Sequence, residues 1–226
     1  MRGVAAAIVF ALALSGCSSS DTPQPGLGKI ALEIARARLA KRNVETVETE
    51  TAPQVTRAQM EALGRPVVFV SVPRLGTGLP AVEIATNRGF KTYMGADQAT
   101  VTLNRGTVTA TRGLPVDLFA QDLGVTPADL FEGEFPKAYA RSQRHLTGEG
   151  TLETKEYTCA IAPAEADEEL KLFGETVRVR QFTELCRNKV RAFQNSYWVD
   201  DAGTVWQSHQ SISKEVGHII IQRVVK

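Results

Sequence analysis

Two adjacent carboxylates, Asp200 and Asp201, are the residues of this sequence that most resemble an acid and base pair. A glycoside hydrolase needs two carboxyl groups flanking the bond that it cleaves. These two, however, belong to the segment Asp-Asp-Ala-Gly between two candidate strands. Aspartate bonds to nearby backbone in such turns, and Gly203 permits a positive φ. We therefore interpret the pair as turn residues.

The histidines and serines do not form a recognisable site. None of the histidines has the spacing of an HExxH or CxxC type metal motif, and none of the serines lies in a GxSxG elbow. The histidines are His145, His209 and His218, and the serines are Ser196, Ser208 and Ser211. We therefore predict no metal, no cofactor and no catalytic residue.

Three aromatic side chains near the C terminus, Tyr197, Trp198 and Trp206, could contact a glycan or a partner protein. If Asp200 to Gly203 forms the loop between two strands, Tyr197 opposes Trp206 on one face and Trp198 opposes Val205 on the other. The simplest interpretation is core packing on one face and cross-strand packing on the other. A platform that stacks on sugar rings is the alternative. A slip of one residue would place both tryptophans on a single face.

Cys17 follows a basic start and an apolar run from Val4 to Leu14. The ending Leu14-Ser15-Gly16-Cys17 resembles the cleavage site of a bacterial lipoprotein signal, and the apolar run is too short to span a bilayer. This resemblance implies that residues 1–16 are removed and that Cys17 carries the acyl chains, including an amide-linked palmitate, that anchor the protein. By the same resemblance to sorted lipoproteins, Ser18 in place of an aspartate implies an outer-membrane anchor with the domain in the periplasm.

Charge and cysteine content narrow the class of protein. Of the 26 Lys and Arg residues, Arg2 leaves with the signal, so 25 remain against 25 Asp and Glu. Because nucleic-acid binding depends on clustered basic residues, a neutral chain without a basic patch argues against a nucleic-acid partner. Two cysteines remain after Cys17, and an oxidising compartment favours a disulfide between Cys159 and Cys186 over two buried thiols.

The chain divides into an acylated anchor and polar tether at residues 17–28 and a single domain at residues 29–226. Apolar spacing predicts a helix over Lys29 to Arg42, and Thr56 with Gln59 forms a capping-box pattern for a second one.

From Pro66 the pattern alternates, which indicates strands, with short helical pieces expected over Leu114 to Leu130. Further strands are predicted over Lys137 to Leu146 and onward to Val225. We predict a mainly β domain whose antiparallel sheet curls into a barrel, half-barrel or sandwich, with an N-terminal helix and short helical insertions.

The last predicted hairpin resembles the C-terminal half of the YjbF/GfcB family. The likeness runs over Phe193 to Gln210 and from Gly217 to Lys226, and a second similar stretch runs from Phe90 to Leu118 with its Thr111-Arg112-Gly113-Leu114-Pro115. These proteins are lipoproteins of group 4 capsule and related exopolysaccharide gene clusters. The family has no established catalytic or ligand residues. The resemblance therefore implies a role in the capsule or exopolysaccharide pathway but identifies no catalytic or binding site.

Together these observations predict a non-enzymatic, outer-membrane-anchored lipoprotein that serves capsule or exopolysaccharide assembly or export. It would contact the polymer or dock on an outer-membrane β-barrel encoded in the same cluster. One alternative is an enzyme that modifies the glycan, which the absence of a catalytic constellation disfavours. Another is a carrier that holds a lipid or acyl chain in a concave apolar sheet.

Overall fold

The structure, a computed structural model, describes residues 56–147 and 149–225. The predicted signal peptide, the acylated cysteine, the tether and the first helix all lie outside these residues. The described part of the chain is almost entirely β, with one short α-helix and two single turns of 3-10 helix at Pro73–Leu75 and Asp129–Phe131.

Twelve strands make one antiparallel sheet in these residues. They are β1 (Val67–Val72), β2 (Thr77–Asn87), β3 (Phe90–Gly95), β4 (Thr100–Asn104), β5 (Thr107–Arg112), β6 (Leu118–Leu123), β7 (Lys137–Leu146), β8 (Leu152–Leu172), β9 (Glu175–Arg187), β10 (Ala192–Val199), β11 (Val205–Ser213) and β12 (Gly217–Val225). Across the sheet the order is β5-β4-β3-β2-β1-β12-β11-β10-β9-β8-β7-β6. The first and last strands therefore pair in the middle of the sheet, and β5 and β6 are its two ends.

The two ends of the sheet meet through side chains, so the sheet nearly closes into a barrel. Gln121 Nε2 on β6 donates to the Val108 carbonyl on β5 at 2.7 Å. The Leu118 amide donates to Thr111 Oγ1 at 3.0 Å, and the Arg112 guanidinium donates to the Leu118 carbonyl at 3.3 Å. These bonds satisfy edge groups that would otherwise be open to pairing with another chain.

The predicted helix at the start of the described residues is confirmed as α1 (Arg57–Glu61). Its capping box is present, because Thr56 Oγ1 accepts from the Gln59 amide at 3.3 Å and Gln59 Oε1 accepts from the Thr56 amide at 2.8 Å. Met60 is buried and packs with Val67 of β1 and Val224 of β12. One buried residue thus fixes this short helix on the centre of the sheet.

The prediction of helical pieces over Leu114 to Leu130 is wrong for most of that segment. Leu118–Leu123 forms β6 and pairs with β7, because those backbone groups have a strand partner available at the end of the sheet. Helical geometry is confined there to Asp129–Phe131. The residue that precedes this turn is Ala128, and Thr126 Oγ1 accepts from the Asp129 amide at 3.3 Å.

The β8 and β9 hairpin is longer than the sequence indicated, since β8 has 21 residues. Phe173 and Gly174 make its turn with φ values of 47° and 85°, a pair of positive values typical of tight hairpins. We call residues 167–180 the hairpin tip. Asp167, in the tip, pairs with Arg178 at 2.6 Å and with Arg180 at 2.7 Å. These ion pairs hold together a segment that extends beyond the bulge at Pro163 to Asp167.

Two apolar clusters fill the barrel. One lies among β1 to β5 and β12 and includes Tyr93 and Ile221, and the other lies among β7 to β11 and includes Ile161 and Phe182. The β4 and β5 turn touches β11 across the interior, because a Cβ added to Gly106 would lie 2.4 Å from Val205 Cβ. Gly106 also has φ +86°, so both the close approach and the turn require glycine.

Candidate functional site

Glu184 and Arg141 form an ion pair inside the barrel, where their side chains are 0% and 1% exposed. Glu184 Oε1 accepts from Arg141 Nη2 at 2.5 Å and from Nε at 3.1 Å, and the Tyr139 hydroxyl also donates to this oxygen. Glu184 Oε2 accepts from Asn195 Nδ2 at 2.6 Å and from the Tyr197 hydroxyl at 3.1 Å. Both carboxylate oxygens are therefore engaged by donors of the protein itself.

Side-chain amides extend these contacts across the barrel. Gln210 Oε1 accepts from the Val108 amide at 2.9 Å, and its Nε2 donates to the Gly106 carbonyl at 2.8 Å. Gln143 Nε2 donates to Gln121 Oε1 at 2.9 Å. We call the whole buried set the interior network: Gln121, Tyr139, Arg141, Gln143, Glu184, Asn195, Tyr197 and Gln210.

Burial and the ion pair shift the pKa of three members of the interior network, Tyr139, Tyr197 and Arg141. Burial raises the pKa of the Tyr139 and Tyr197 hydroxyls, and the Glu184 carboxylate raises it further. Burial opposes the charge of Arg141, but Glu184, Tyr197 and Tyr139 together outweigh that effect and raise the pKa of the guanidinium. A general acid or base must exchange a proton near its working pH. These tyrosines and this arginine hold their protons instead, so we assign the network a structural role.

The predicted register of the β10 and β11 hairpin is wrong. Tyr197 lies opposite Ser208, Trp198 lies opposite Gln207, and the register shifts before Val199, which pairs with Val205. Residue 206 is therefore the extra residue of a β-bulge. The bulge turns Trp206 to the side of the sheet that carries Trp198 and away from Tyr197. Both tryptophans therefore lie on one face, which is the arrangement expected above for a register slipped by one residue.

Asp200 contacts the bulged residue Trp206, and its other contacts fit the interpretation of the two aspartates as turn residues. Asp200 Oδ1 accepts from the Ala202 and Thr204 amides at 3.0 and 2.8 Å, while Oδ2 accepts from Trp206 Nε1 at 2.8 Å. Burial opposes the ionisation of Asp200, but these hydrogen bonds, that from Trp206 above all, prevail and lower its pKa. Asp201 is exposed beside it. The carboxylate of Asp200 thus caps the turn and orients the indole.

The three candidate contact aromatics differ in accessibility. Tyr197 is 0% exposed and belongs to the interior network. Trp206 is 6% exposed, because Leu172 and Val179 of the hairpin tip pack with it. Trp198 is half-buried, with its Nε1 donating to Glu168 at 2.7 Å. Of the three, Trp198 is therefore the one that a glycan or partner could reach.

Trp198 lies on a polar surface formed by the outward side chains of β9 to β12, which we call the outer face. Because opposite residues in antiparallel strands share a face, the register defines two rows across it. The first row is Gln181, Trp198, Gln207 and Gln222, and the second is Thr183, Ser196, His209 and Ile220. Trp198 and His209 join the rows, with ring centroids 4.8 Å apart.

A cleft of about 450 Å³ opens on the outer face next to His209. Among the residues that line it are Arg74, Gln194, Ser196, His209, His218 and Ile220. His218 Nε2 donates to the Gln194 carbonyl at 2.8 Å, which fixes the position of that ring. Burial lowers the pKa of His209, and the neighbouring His218 lowers it further. Amide, hydroxyl, imidazole and guanidinium groups therefore converge here beside an indole.

A second, apolar pocket lies on the concave side of β1 to β4 and holds about 60 Å³. Val70, Tyr93, Leu114 and Ile219 are among its walls. Pockets for small ligands usually run to about 300 to 1,000 Å³. This pocket is too small for an acyl chain, so the carrier hypothesis gains no support from the described part of the chain.

The cysteines and histidines are placed as follows. Cys159 and Cys186 lie opposite each other on β8 and β9 and form a disulfide, as the sequence predicted. Their sulfurs and a Glu184 oxygen lie within 4.8 Å of one another, but the two sulfurs are bonded to each other and cannot ligate a metal ion.

The histidine His145 is buried, with its Nε2 bonded to the Ile212 carbonyl at 2.8 Å, and His209 lies on the outer face. No helix in residues 56–147 and 149–225 is long and apolar enough to cross a membrane.

Sequence reasoning missed both the interior network and the cleft. On β7 the inward residues are Tyr139, Arg141, Gln143 and His145, and the outward residues Ala138 and Ala140 are small and exposed. The inward side of this strand is therefore mainly polar, against the ordinary rule that places apolar residues inside. An alternation of large polar residues with alanine was the available signal.

Comparison with known proteins gives two findings. Residues 37–224 match the family described as group 4 capsule polysaccharide lipoprotein GfcB, YjbF. The structure is similar to the crystal structure of the hypothetical lipoprotein YmcC from Escherichia coli (K12), with a TM-score of 0.66 and 17% sequence identity, covering 91% of this chain and 98% of that one. No curated protein matches the sequence. At this identity the structural likeness supports the fold, and the family match covers most of the chain.

Proposed function

The chain belongs to the YjbF family of group 4 capsule polysaccharide lipoproteins, and we propose that it is a non-enzymatic accessory in the assembly or export of a capsule or exopolysaccharide. In this proposal it works from the periplasmic side of the outer membrane and contacts the polymer. The predicted lipid anchor at Cys17 and the following Ser18 support the location.

The outer face is the observation that carries the proposal. A sugar ring offers hydroxyl groups and one apolar face, so a surface that binds it needs hydrogen-bonding side chains beside an aromatic ring. Trp198 and His209 supply rings, and Gln181, Thr183 and Ser196 supply amide and hydroxyl groups around them. The cleft beside His209 gives this surface a concave part.

The carboxylates described above argue against the glycan-modifying alternative. Glu184 is inaccessible and accepts hydrogen bonds on both oxygens, and Asp200 caps a turn. Asp167 is held between two arginines in the hairpin tip. None of these three is free to protonate a glycosidic oxygen, which is the first requirement of the reaction.

Docking on an outer-membrane partner is a second candidate, and Leu185 favours it. Leu185 is 58% exposed and lies directly opposite Gln194 on the outer face. Ala160 and Ala138 continue its cross-strand row on β8 and β7 and are exposed as well. Exposed apolar side chains that adjoin one another are the kind of surface that marks a protein contact. The partner would then bind the same side of the sheet as the polymer.

Deletion of the gene tests the proposal. We expect surface polysaccharide to be lost while polymer synthesis continues and polymer accumulates inside the cell, since the chain lies outside the cytoplasm where sugar nucleotides are used. Cys17→Ser should restore export poorly, because the protein would no longer be anchored. Surface and periplasmic polymer are measured side by side, with protein level checked by immunoblot.

Point variants separate the two modes of action. Trp198→Ala should reduce export at normal protein level, whereas Phe90→Ala serves as a matched control because Phe90 is an exposed aromatic, 43% accessible, on β3. Leu185→Ala reducing export while Trp198→Ala does not would favour docking. Normal surface polymer in the deletion strain would refute the pathway assignment, and purified protein that shortens the polymer would establish the enzyme.

A further inference from the structure

The cleft on the outer face carries positive charge without a neutralising carboxylate. Arg74 and His218 are exposed at its rim and His209 lies at its inner wall. The residues that line the cleft include no aspartate or glutamate. Arg74 makes no ion pair within residues 56–147 and 149–225. An arginine without an ion-pair partner is available to an anionic ligand.

Arg74 lies against the backbone at the start of β12. It lies in the 3-10 turn Pro73–Leu75, which follows β1. A Cβ added to Gly217 would lie 3.3 Å from Arg74 Nε and 3.7 Å from its Cβ and Cδ, so the side chain passes across Gly217 at the start of β12. The same β12 carries His218, the next residue. Arginine and imidazole are thereby brought to one end of the cleft.

The rest of the cleft suits a sugar ring better than a bare ion. Ile220 and Pro73 give it apolar wall, and Gln194 and Ser196 give it an amide and a hydroxyl. Neither of these two side chains makes a hydrogen bond to another described residue. A volume of about 450 Å³ lies within the usual range for a small-molecule site, about 300 to 1,000 Å³. A simple anion such as phosphate would leave the apolar wall and most of this space without a contact.

We propose that this cleft binds an acidic sugar residue of a polysaccharide, with Arg74 pairing with its carboxylate next to His218. The ring would then lie over Ile220, its hydroxyls facing Gln194 and Ser196. This inference rests on the proposed function and names the chemical class of polymer that the outer face takes. Arginine matches a carboxylate bidentately, which supplies both affinity and orientation.

Binding of defined oligosaccharides to the full-length lipoprotein in detergent tests the inference. The probe is tetragalacturonate, and its fully methyl-esterified form is the matched control because it keeps the rings and removes the charge. Wild-type protein should bind the acid more tightly than the ester, and added salt should weaken the binding of the acid. Calorimetry or fluorescence of Trp198, which neighbours His209, reports the affinity.

Point variants test whether the charge that recognises the acid is that of Arg74 in the cleft. Arg74→Gln should weaken acid binding by about tenfold, since a hydrogen-bonded charge contact is lost, and leave ester binding unchanged. Arg105→Gln is the control, because Arg105 is exposed in the β4 and β5 turn and lies outside the cleft. His218→Gln should weaken acid binding less than Arg74→Gln.

Three results would overturn the inference. They are equal binding of acid and ester, acid binding that Arg74→Gln does not change, and displacement by inorganic phosphate as effective as displacement by the acid. The test is independent of the export assay. If the protein binds the acid selectively but its deletion leaves export normal, the cleft binds an acidic sugar and the role in export is refuted. If deletion abolishes export but the protein does not bind the acid, the role in export stands and the proposed ligand of the cleft is refuted.

Discussion

Strands β10 and β11 are polar on both sides, and the two sides use their polar groups differently. On the inner side, Asn195 and Gln210 are 1% and 2% exposed and bond to other parts of the barrel. On the outer side, Gln194, Ser196 and His209 line a cleft. The inner groups therefore have partners from the protein, while the outer groups keep capacity for a ligand.

On this pair of strands, the polar side chains that stabilise the fold can therefore be told apart from those that could bind a ligand. A buried polar group costs free energy unless it is hydrogen-bonded, so inner substitutions should act on stability. A half-exposed group loses little on folding, so outer substitutions should act on binding. Neighbours along a strand point to opposite sides, which provides matched pairs of variants for the tests.

Removal of the inner charge should have the largest effect. Glu184→Gln leaves Arg141 buried without its anion, and breaking a buried ion pair costs about 3 to 5 kcal/mol of unfolding free energy. Urea unfolding followed by circular dichroism measures the loss. Glu168→Gln on the outer side, where the carboxylate accepts from Trp198, should change stability by less than about 1 kcal/mol. A loss below 1 kcal/mol in Glu184→Gln would contradict the structural role of the network.

The two tryptophans provide the next test. Trp206→Ala removes an indole that is 6% exposed under the hairpin tip, and we expect a loss of about 3 kcal/mol, at the low end for a core aromatic. Trp198→Ala should cost clearly less, because part of its ring already faces solvent. The same unfolding experiment compares both. Equal losses would mean that Trp198 belongs to the core and would weaken its assignment as a contact residue.

Adjacent residues on β10 should separate the two sides most cleanly. Asn195→Ala removes a donor to Glu184 and the acceptor of the Ser211 amide, so a loss of about 1 to 3 kcal/mol follows from the unsatisfied buried groups. Gln194→Ala, one residue away, should stay within about 0.5 kcal/mol of wild type. If Gln194→Ala destabilises as much as Asn195→Ala, the division into inner and outer roles fails on this strand.

The sequence was sufficient for most of the fold because its signals are local. Strand bounds such as Val67–Val72 and Lys137–Leu146, the capping box of Thr56 and the positive φ of Gly106 each depend on a few neighbouring residues. The antiparallel sheet followed from the short spacing of these elements. β6 was missed because its strand geometry depends on pairing with β7, which no local pattern records.

The candidate site was less accessible to sequence reasoning, because it depends on register and on long-range contacts. One bulged residue, Trp206, reversed the predicted face of an indole. Arg141 and Glu184 are 43 residues apart, and Arg74 and His218 line one cleft only because β1 pairs with β12. Patterns of charge and hydropathy do not show which residues so far apart in sequence lie close together in space. The cleft could therefore be found only in the structure.

The smallest predicted effect is the pH dependence of stability that comes from His145 on the inner side and His209 on the outer side. Burial lowers the pKa of His145 inside the barrel and of His209 on the outer face below the ordinary value of 6.5. As the pH falls, the unfolded chain takes up protons at these positions before the folded chain does, so stability is retained above pH 6.5 and declines below it. Melting temperatures from pH 8 to pH 5 should show this decline, and His145→Gln and His209→Gln should each flatten part of it. A slope that persists unchanged in the double variant would show that other groups control the acid response of the domain.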